Sequence, residues 1–246
     1  WFENTKISYG YINNINRIFG PDDGGQRADM DAKTHILNIN HQGLAIGKLS
    51  AYSYWLDIKN AHAASTQTTR LRVTGKAETE KLTYNYSAEY ARQSDYGNNT
   101  TDFDADYFLF ELGMEAGGLS AKVGLEVLEG DSALAGQSFR TPLATLHKFN
   151  GWADKFLATP ATGLEDAYAK VSYKASGIHP IVDGTKFTAV YHDFTGDSSG
   201  DYGSEVDLAV GRSFDLGDHG QPFDSLNVLL KSADSNADDA PYTDTD

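Results

Sequence analysis

The sequence predicts an all-β protein, an antiparallel up-and-down transmembrane β-barrel. Three observations point there. Runs of strictly alternating apolar and polar residues recur along the chain, as in "KLTYNYSAEY" (81–90) and "LSAKVGLEV" (119–127). The runs are about 9–12 residues long, close to what a tilted membrane strand needs, whereas soluble strands average about 5–6. The connections alternate between short and long, as when successive turns leave opposite edges of one sheet.

Period-two patterning places about 11 strands in the chain. They lie near 4–14, 33–41, 44–56, 67–76, 81–92, 105–115, 118–128, 165–175, 185–193, 204–213 and 224–232. Short turns fall at 41–43, 76–81, 115–118, 175–184 and 215–222. Long polar connections fall at 15–32, 57–66, 93–104, 129–164, 194–203 and from 233 onward. The whole chain, 1–246, therefore reads as a single outer-membrane β-barrel domain with a long structured loop at 129–164.

Each strand has one greasy and one polar face. Leu82, Tyr84, Tyr86, Ala88 and Tyr90 oppose Thr83, Asn85, Ser87 and Glu89. Leu119, Ala121, Val123, Leu125 and Val127 oppose Ser120, Lys122, Gly124 and Glu126. Val206, Leu208 and Val210 oppose Glu205 and Asp207. Tyrosines recur near strand ends, including Tyr9, Tyr11, Tyr52, Tyr54, Tyr90, Tyr107, Tyr168, Tyr173 and Tyr191, where a barrel carries its aromatic girdles. A soluble β-sandwich, serving as a carbohydrate-binding or structural surface protein, is the alternative that the same alternation allows.

Composition narrows the function. With 35 acidic residues against 20 Lys and Arg, a net charge of -15, the chain is a poor partner for nucleic acid. It has no cysteine, hence neither disulfides nor thiolate metal sites. No apolar run reaches the roughly 18 residues of a transmembrane helix, and no signal peptide is read at Trp1. There is no G-x-S-x-G elbow, H-E-x-x-H, P-loop or G-x-G-x-x-G, so no enzyme is expected. The acids crowd the long connections, and their oxygens leave calcium in those loops as an open expectation. No other cofactor is expected.

If the apolar faces meet lipid, the polar faces enclose water. Arg70, Arg72, Glu89, Lys122, Glu126, Lys170, Lys174 and Lys186 are the expected lumen-lining residues, joined by Lys6, Glu111, Glu205, Asp207 and Lys231. Bases outnumber acids in that set, so a solute of negative charge is expected to pass. Bracing of the wall by Lys–Glu pairs is the plainer reading of any one of them.

One stretch breaks the alternation: "FRTPLATLHKFNGWADKF" (139–156), within the longest connection. Thr141 and Pro142 suit the start of a short helix, and a second short helix is expected from Gly151 up to Pro160. Its aromatic residues should fold back onto the barrel, offering Arg140, His147, Lys148, Trp152 and Lys155 as a loop constriction or solute contact. Phe149, Trp152 and Phe156 equally suit a hydrophobic anchor for the loop.

Several segments carry a family resemblance: "ISYGYINNINRIFG" (7–20), "LRVTGKAETEKLTYNYSAEYARQSDYG" (71–97), "DFDADYFLFELG" (102–113), the 139–156 stretch and "YHDFTGDSSGDYGSEVDL" (191–208). Together they resemble the alginate-export family of bacterial outer-membrane porins. The resemblance implies a barrel of about 16–18 strands, an outer-membrane location, contact with lipid and lipopolysaccharide, and passive diffusion of small anionic or sugar-like solutes. It also implies that this chain is the C-terminal part of a longer porin, short of its last strand. Assembly with further copies of itself stays open.

Overall fold

A computed structural model describes residues 3–16, 29–133, 136–143, 150–217 and 224–237. Among these described residues, eleven strands form one antiparallel sheet in sequence order. They are β1 (Thr5–Asn16), β2 (Asp29–Leu44), β3 (Gly47–Leu56), β4 (Thr66–Glu78), β5 (Thr83–Asp95), β6 (Asp104–Ala116), β7 (Leu119–Leu128), β8 (Leu164–Lys174), β9 (Lys186–Thr195), β10 (Asp201–Asp215) and β11 (Ser225–Asn236). All eleven expected strands are present. β2 starts at Asp29 rather than near 33, so the connection before it is shorter than the sequence suggested. A single continuous sheet also departs from the sandwich alternative, which needs two sheets packed face to face.

The alternation resolves into two surfaces. Leu71, Tyr90 and Phe108 stand side by side on one face, as do Leu112, Val123 and Tyr191 in a neighbouring row. These side chains are exposed, together with Phe110, Leu125, Val171, Leu208, Val210, Val228 and Leu230. Apolar residues in water would not stay spread over so many contiguous strands. The opposite face is concave, and there the buried side chains include Ser87, Glu89, Gln93, Asp166, Ser172, His192, Glu205 and Asp207. The molecule is thus greasy outside and polar inside, the inverse of a water-soluble sheet protein.

The tyrosines divide between the faces. Tyr9, Tyr11, Tyr90 and Tyr191 are exposed on the apolar side, as a girdle requires. Tyr52, Tyr107 and Tyr168 instead turn inward and donate hydrogen bonds to Glu89 (3.5 Å), Glu126 (2.6 Å) and Glu111 (2.6 Å). Tyr54 lies with them, its ring centroid 4.9 Å from that of Tyr52. For these four the girdle expectation is corrected: residue type suited a girdle, but strand parity sends the rings inward. Room for Tyr168 comes from Gly124 on the neighbouring strand. A Cβ there would lie 2.3 Å from the tyrosine ring.

The expected short turns lie along one edge of the sheet and the expected long connections along the other, but the contrast in length fails toward the C-terminal end: the β9–β10 connection is only 196–200, shorter than the β8–β9 turn at 175–185. The turn between β8 and β9 is pinned by Asp183, whose carboxylate accepts the backbone N–H of Ile178 (2.9 Å) and His179 (3.3 Å). Those amide bonds, Ile178 first, hold its carboxyl below the usual aspartate range, and the Arg212 guanidinium adds to the effect. A depressed folded value means the turn gains stability above the ordinary pKa and loses it as pH falls through the folded one. The Ile178 amide resonance should therefore titrate with a midpoint below about 3.9, the ordinary aspartate value. A midpoint at or above that value would show that the carboxylate does not hold the turn.

Candidate functional site

The concave face carries its charges in rows set by strand register. Arg72 on β4 stands opposite Glu89 on β5, which stands opposite Leu109, then Glu126 on β7 and Asp166 on β8. Arg70 also pairs with Glu89, and its guanidinium lies 4.4 Å from the Tyr52 ring centre. Arg72 reaches Glu89 at 3.2 Å and Glu111 at 3.8 Å. Lys122 donates to Glu111 at 2.8 Å. Arg70, Arg72, Glu89, Lys122 and Glu126 thus share one braced network on the polar face. Lys170, Lys174 and Lys186 lie on the same face, nearer the short turns.

Two residues of this face escaped the sequence reading. Asp166 and His192 are both buried, and His192 Nδ1 lies 2.8 Å from Asp166 Oδ1. Their parity was available: Asp166 shares a face with Lys170, and His192 stands opposite Glu205. With them, the half of the face nearer the long connections is acidic across β7 to β10. The expected excess of bases holds only toward the short turns.

Residues 150–156 of the 129–163 connection fold back onto that acidic half. Asn150 and Gly151 adopt left-handed backbone conformations, φ 56° and 87°. That bend presents the next two amides to the wall, and the N–H groups of Trp152 and Ala153 both donate to Glu205 Oε1, the second at 2.9 Å. Asn150 Nδ2 donates to Glu126 (3.0 Å) and Asp166 (3.3 Å). The acids thus receive backbone and amide donors that would otherwise be buried unsatisfied. Apolar contacts complete the seat: Phe156 packs on Phe194 and Tyr202, and Phe139 on Tyr107.

The loop residues singled out in the sequence take different places. Arg140 sits at the loop's outer part, its guanidinium bonded to the carbonyls of Ala63 and Gly136 and stacked 4.7 Å from the Phe103 ring centre. Its backbone N–H donates to Gln93 at 2.8 Å, and Gln93 donates back to its carbonyl at 2.9 Å. This arrangement fastens the loop. Trp152 lies inward, with Lys231 Nζ 4.1 Å from its ring centre. Lys155 is half-buried. His147 and Lys148, like most of the first expected helix, lie outside the described residues. The second expected helix, from Gly151 toward Pro160, is absent: the segment forms turns. The left-handed residues at 150, 151 and 154 are incompatible with a right-handed helix.

Fold and site together define a class: the wall of a membrane-type antiparallel β-barrel, with a long loop laid across its polar face. Solved structures of that class match it. The chain is similar to Pseudomonas aeruginosa OccK8 (OprE), at 14% identity and a TM-score of 0.68, covering 96% of this chain and 64% of that one. It is similar to Pseudomonas aeruginosa OccK2 (OpdF), solved in complex with glucuronate, at 14% identity and a TM-score of 0.66, covering 96% and 63%. It is also similar to a BenF-like porin from Pseudomonas fluorescens Pf-5, at 12% identity and a TM-score of 0.66, covering 96% and 60%. The chain therefore spans less than two thirds of the length of these structures. At such identities the likeness establishes the fold. No protein-family model matches the sequence, and neither does any curated protein.

Proposed function

We propose that this chain forms part of the wall of a bacterial outer-membrane porin, through which small hydrophilic and mainly anionic solutes, such as organic acids or acidic sugars, diffuse passively. The observation that carries this reading is the inverted sheet: exposed Leu, Val, Phe and Tyr on the convex side, and ion pairs with an inward loop on the other. Only a molecule with hydrocarbon outside and water inside gains by that arrangement. In this reading the convex belt meets lipid and lipopolysaccharide. Arg70, Arg72, Lys122, Lys170, Lys174 and Lys186 then line the passage with Glu89 and Glu126. The docked loop narrows it, with Trp152 and Lys155, and His147 and Lys148 beyond the described residues, as solute contacts.

Anion preference is supported by the lysines near the short turns and by the glucuronate in the OccK2 structure. The resemblance to the alginate-export family belongs to the same proposal and points to acidic sugars. Planar-bilayer recording tests it. The protein should show discrete conductance steps and pass chloride more readily than potassium. Neutralising Lys122 and Lys170 together (K122Q/K170Q) should lower that permeability ratio about twofold. Absence of any channel would end the porin reading, and an unchanged ratio would remove these lysines from its selectivity.

A further inference from the structure

The short-turn end of the concave face contains two lysines that the wall does not neutralise. Lys174 at the end of β8 and Lys186 at the start of β9 are direct cross-strand partners. Like charges directly opposite one another destabilise a sheet. Among the described residues neither lysine has a carboxylate within ion-pair distance, unlike Lys122, which Glu111 neutralises. Both line a cleft of about 560 Å³. Ser120 and Ser172, opposite each other in the adjacent row, line it too, and the Ser172 hydroxyl lies 3.0 Å from that of Thr188. Glu80 and Lys81, in the β4–β5 turn, and Glu115 on β6 line the cleft as well; Glu115 is the cross-strand partner of Ser120 and already accepts a hydrogen bond from Asn85 at 3.0 Å, so three lysines stand against two carboxylates there.

We propose that this cleft is a subsite for a compact divalent oxyanion, carboxylate or phosphate in kind, bound between Lys174 and Lys186 with the Ser120 and Ser172 hydroxyls beside it. Each ammonium offers three donors as a point charge, which suits a small oxyanion better than a flat bidentate one. An anion seated there removes the repulsion between the two lysines and makes charge-assisted hydrogen bonds to both. Lys170, on the same face of β8 one turn of the alternation beyond Ser172, continues the positive charge toward the acidic row where the loop is docked. The subsite would hold an anion at the end of the passage opposite the loop, so it deepens the porin reading and rests on it.

Current block tests it. Hydrogen phosphate, and separately succinate, is titrated into chloride buffer during planar-bilayer recording of the protein. Both should reduce chloride current, and the K174Q/K186Q variant should weaken the block about tenfold or more, two charge-assisted contacts being lost. The K174R/K186R variant keeps the charge and should keep most of the block, which separates charge from any folding defect. Block by phosphate alone, or by succinate alone, identifies which oxyanion the subsite takes. Block that is equal in wild type and K174Q/K186Q overturns the subsite while leaving the channel intact. Loss of all conductance steps in the wild type would overturn the porin reading itself.

Discussion

Replacing Gly151 with valine is expected to lift the docked segment from the wall and, if that segment narrows the passage as proposed, to raise single-channel conductance about twofold. The backbone at Gly151 has φ 87°, and a Cβ there would lie 2.6 Å from Glu205 Oε1. Valine is β-branched and excluded from that conformation, so both the bend and the approach to Glu205 fail together. The N–H groups of Trp152 and Ala153 then lose their carboxylate. Each hydrogen bond to a charged group is worth about 1.5–3 kcal/mol. Limited proteolysis gives an independent readout, since a released segment becomes cleavable after Lys155. Unchanged conductance together with unchanged protease resistance would show that the Glu205 contact does not hold the loop. As a control, Leu157→Ala alters an exposed residue just beyond the seat and should change neither readout.

The second large effect lies on the other face. Val123 is 56% exposed and central in β7, among Leu112, Ala169 and Tyr191 in the same row. Val123→Arg should cost about 2–4 kcal/mol if that position lies near the middle of the hydrocarbon. Reversible urea unfolding from lipid vesicles measures it. The same arginine at Ile181, exposed in the β8–β9 turn, should change stability by no more than about 0.5 kcal/mol. Equal and small effects at both sites would mean that the convex belt does not face lipid, and the proposed location would fall with it.

Much of the fold was legible because a strand has a period of two. Leu119 through Val127 announce which side chains share a face before any neighbour is known, and strand length pointed to a membrane. That is why Arg72, Lys122 and Lys170 were correctly assigned to the polar face. The same parity rule held Asp166 and His192, which lie inside the expected strands 165–175 and 185–193, but a lone acid and a lone histidine on separate strands carry no signal until register sets them against each other. The inward tyrosines were misread for a different reason. Tyr107 and Tyr168 suit a girdle by type, and only their parity, with an acid within reach of each hydroxyl, turns them into wall residues.

The loop was the least legible part. Aromatic residues at 139–156 signalled that the connection would not stay in water, which its packing on Phe194 and Tyr202 bears out. Its backbone form was not readable: Asn and Gly suit both a helix end and a left-handed bend, and the choice is made by Glu205, more than 50 positions away.

By itself, then, the sequence determined eleven strands and their two faces, because each follows from neighbours within a few residues. Tertiary structure alone decided which charges meet across strands, which lysines stay without a carboxylate, and where the long loop lies. Those outcomes depend on strand register and on contacts between residues far apart in the chain, and no local pattern encodes either.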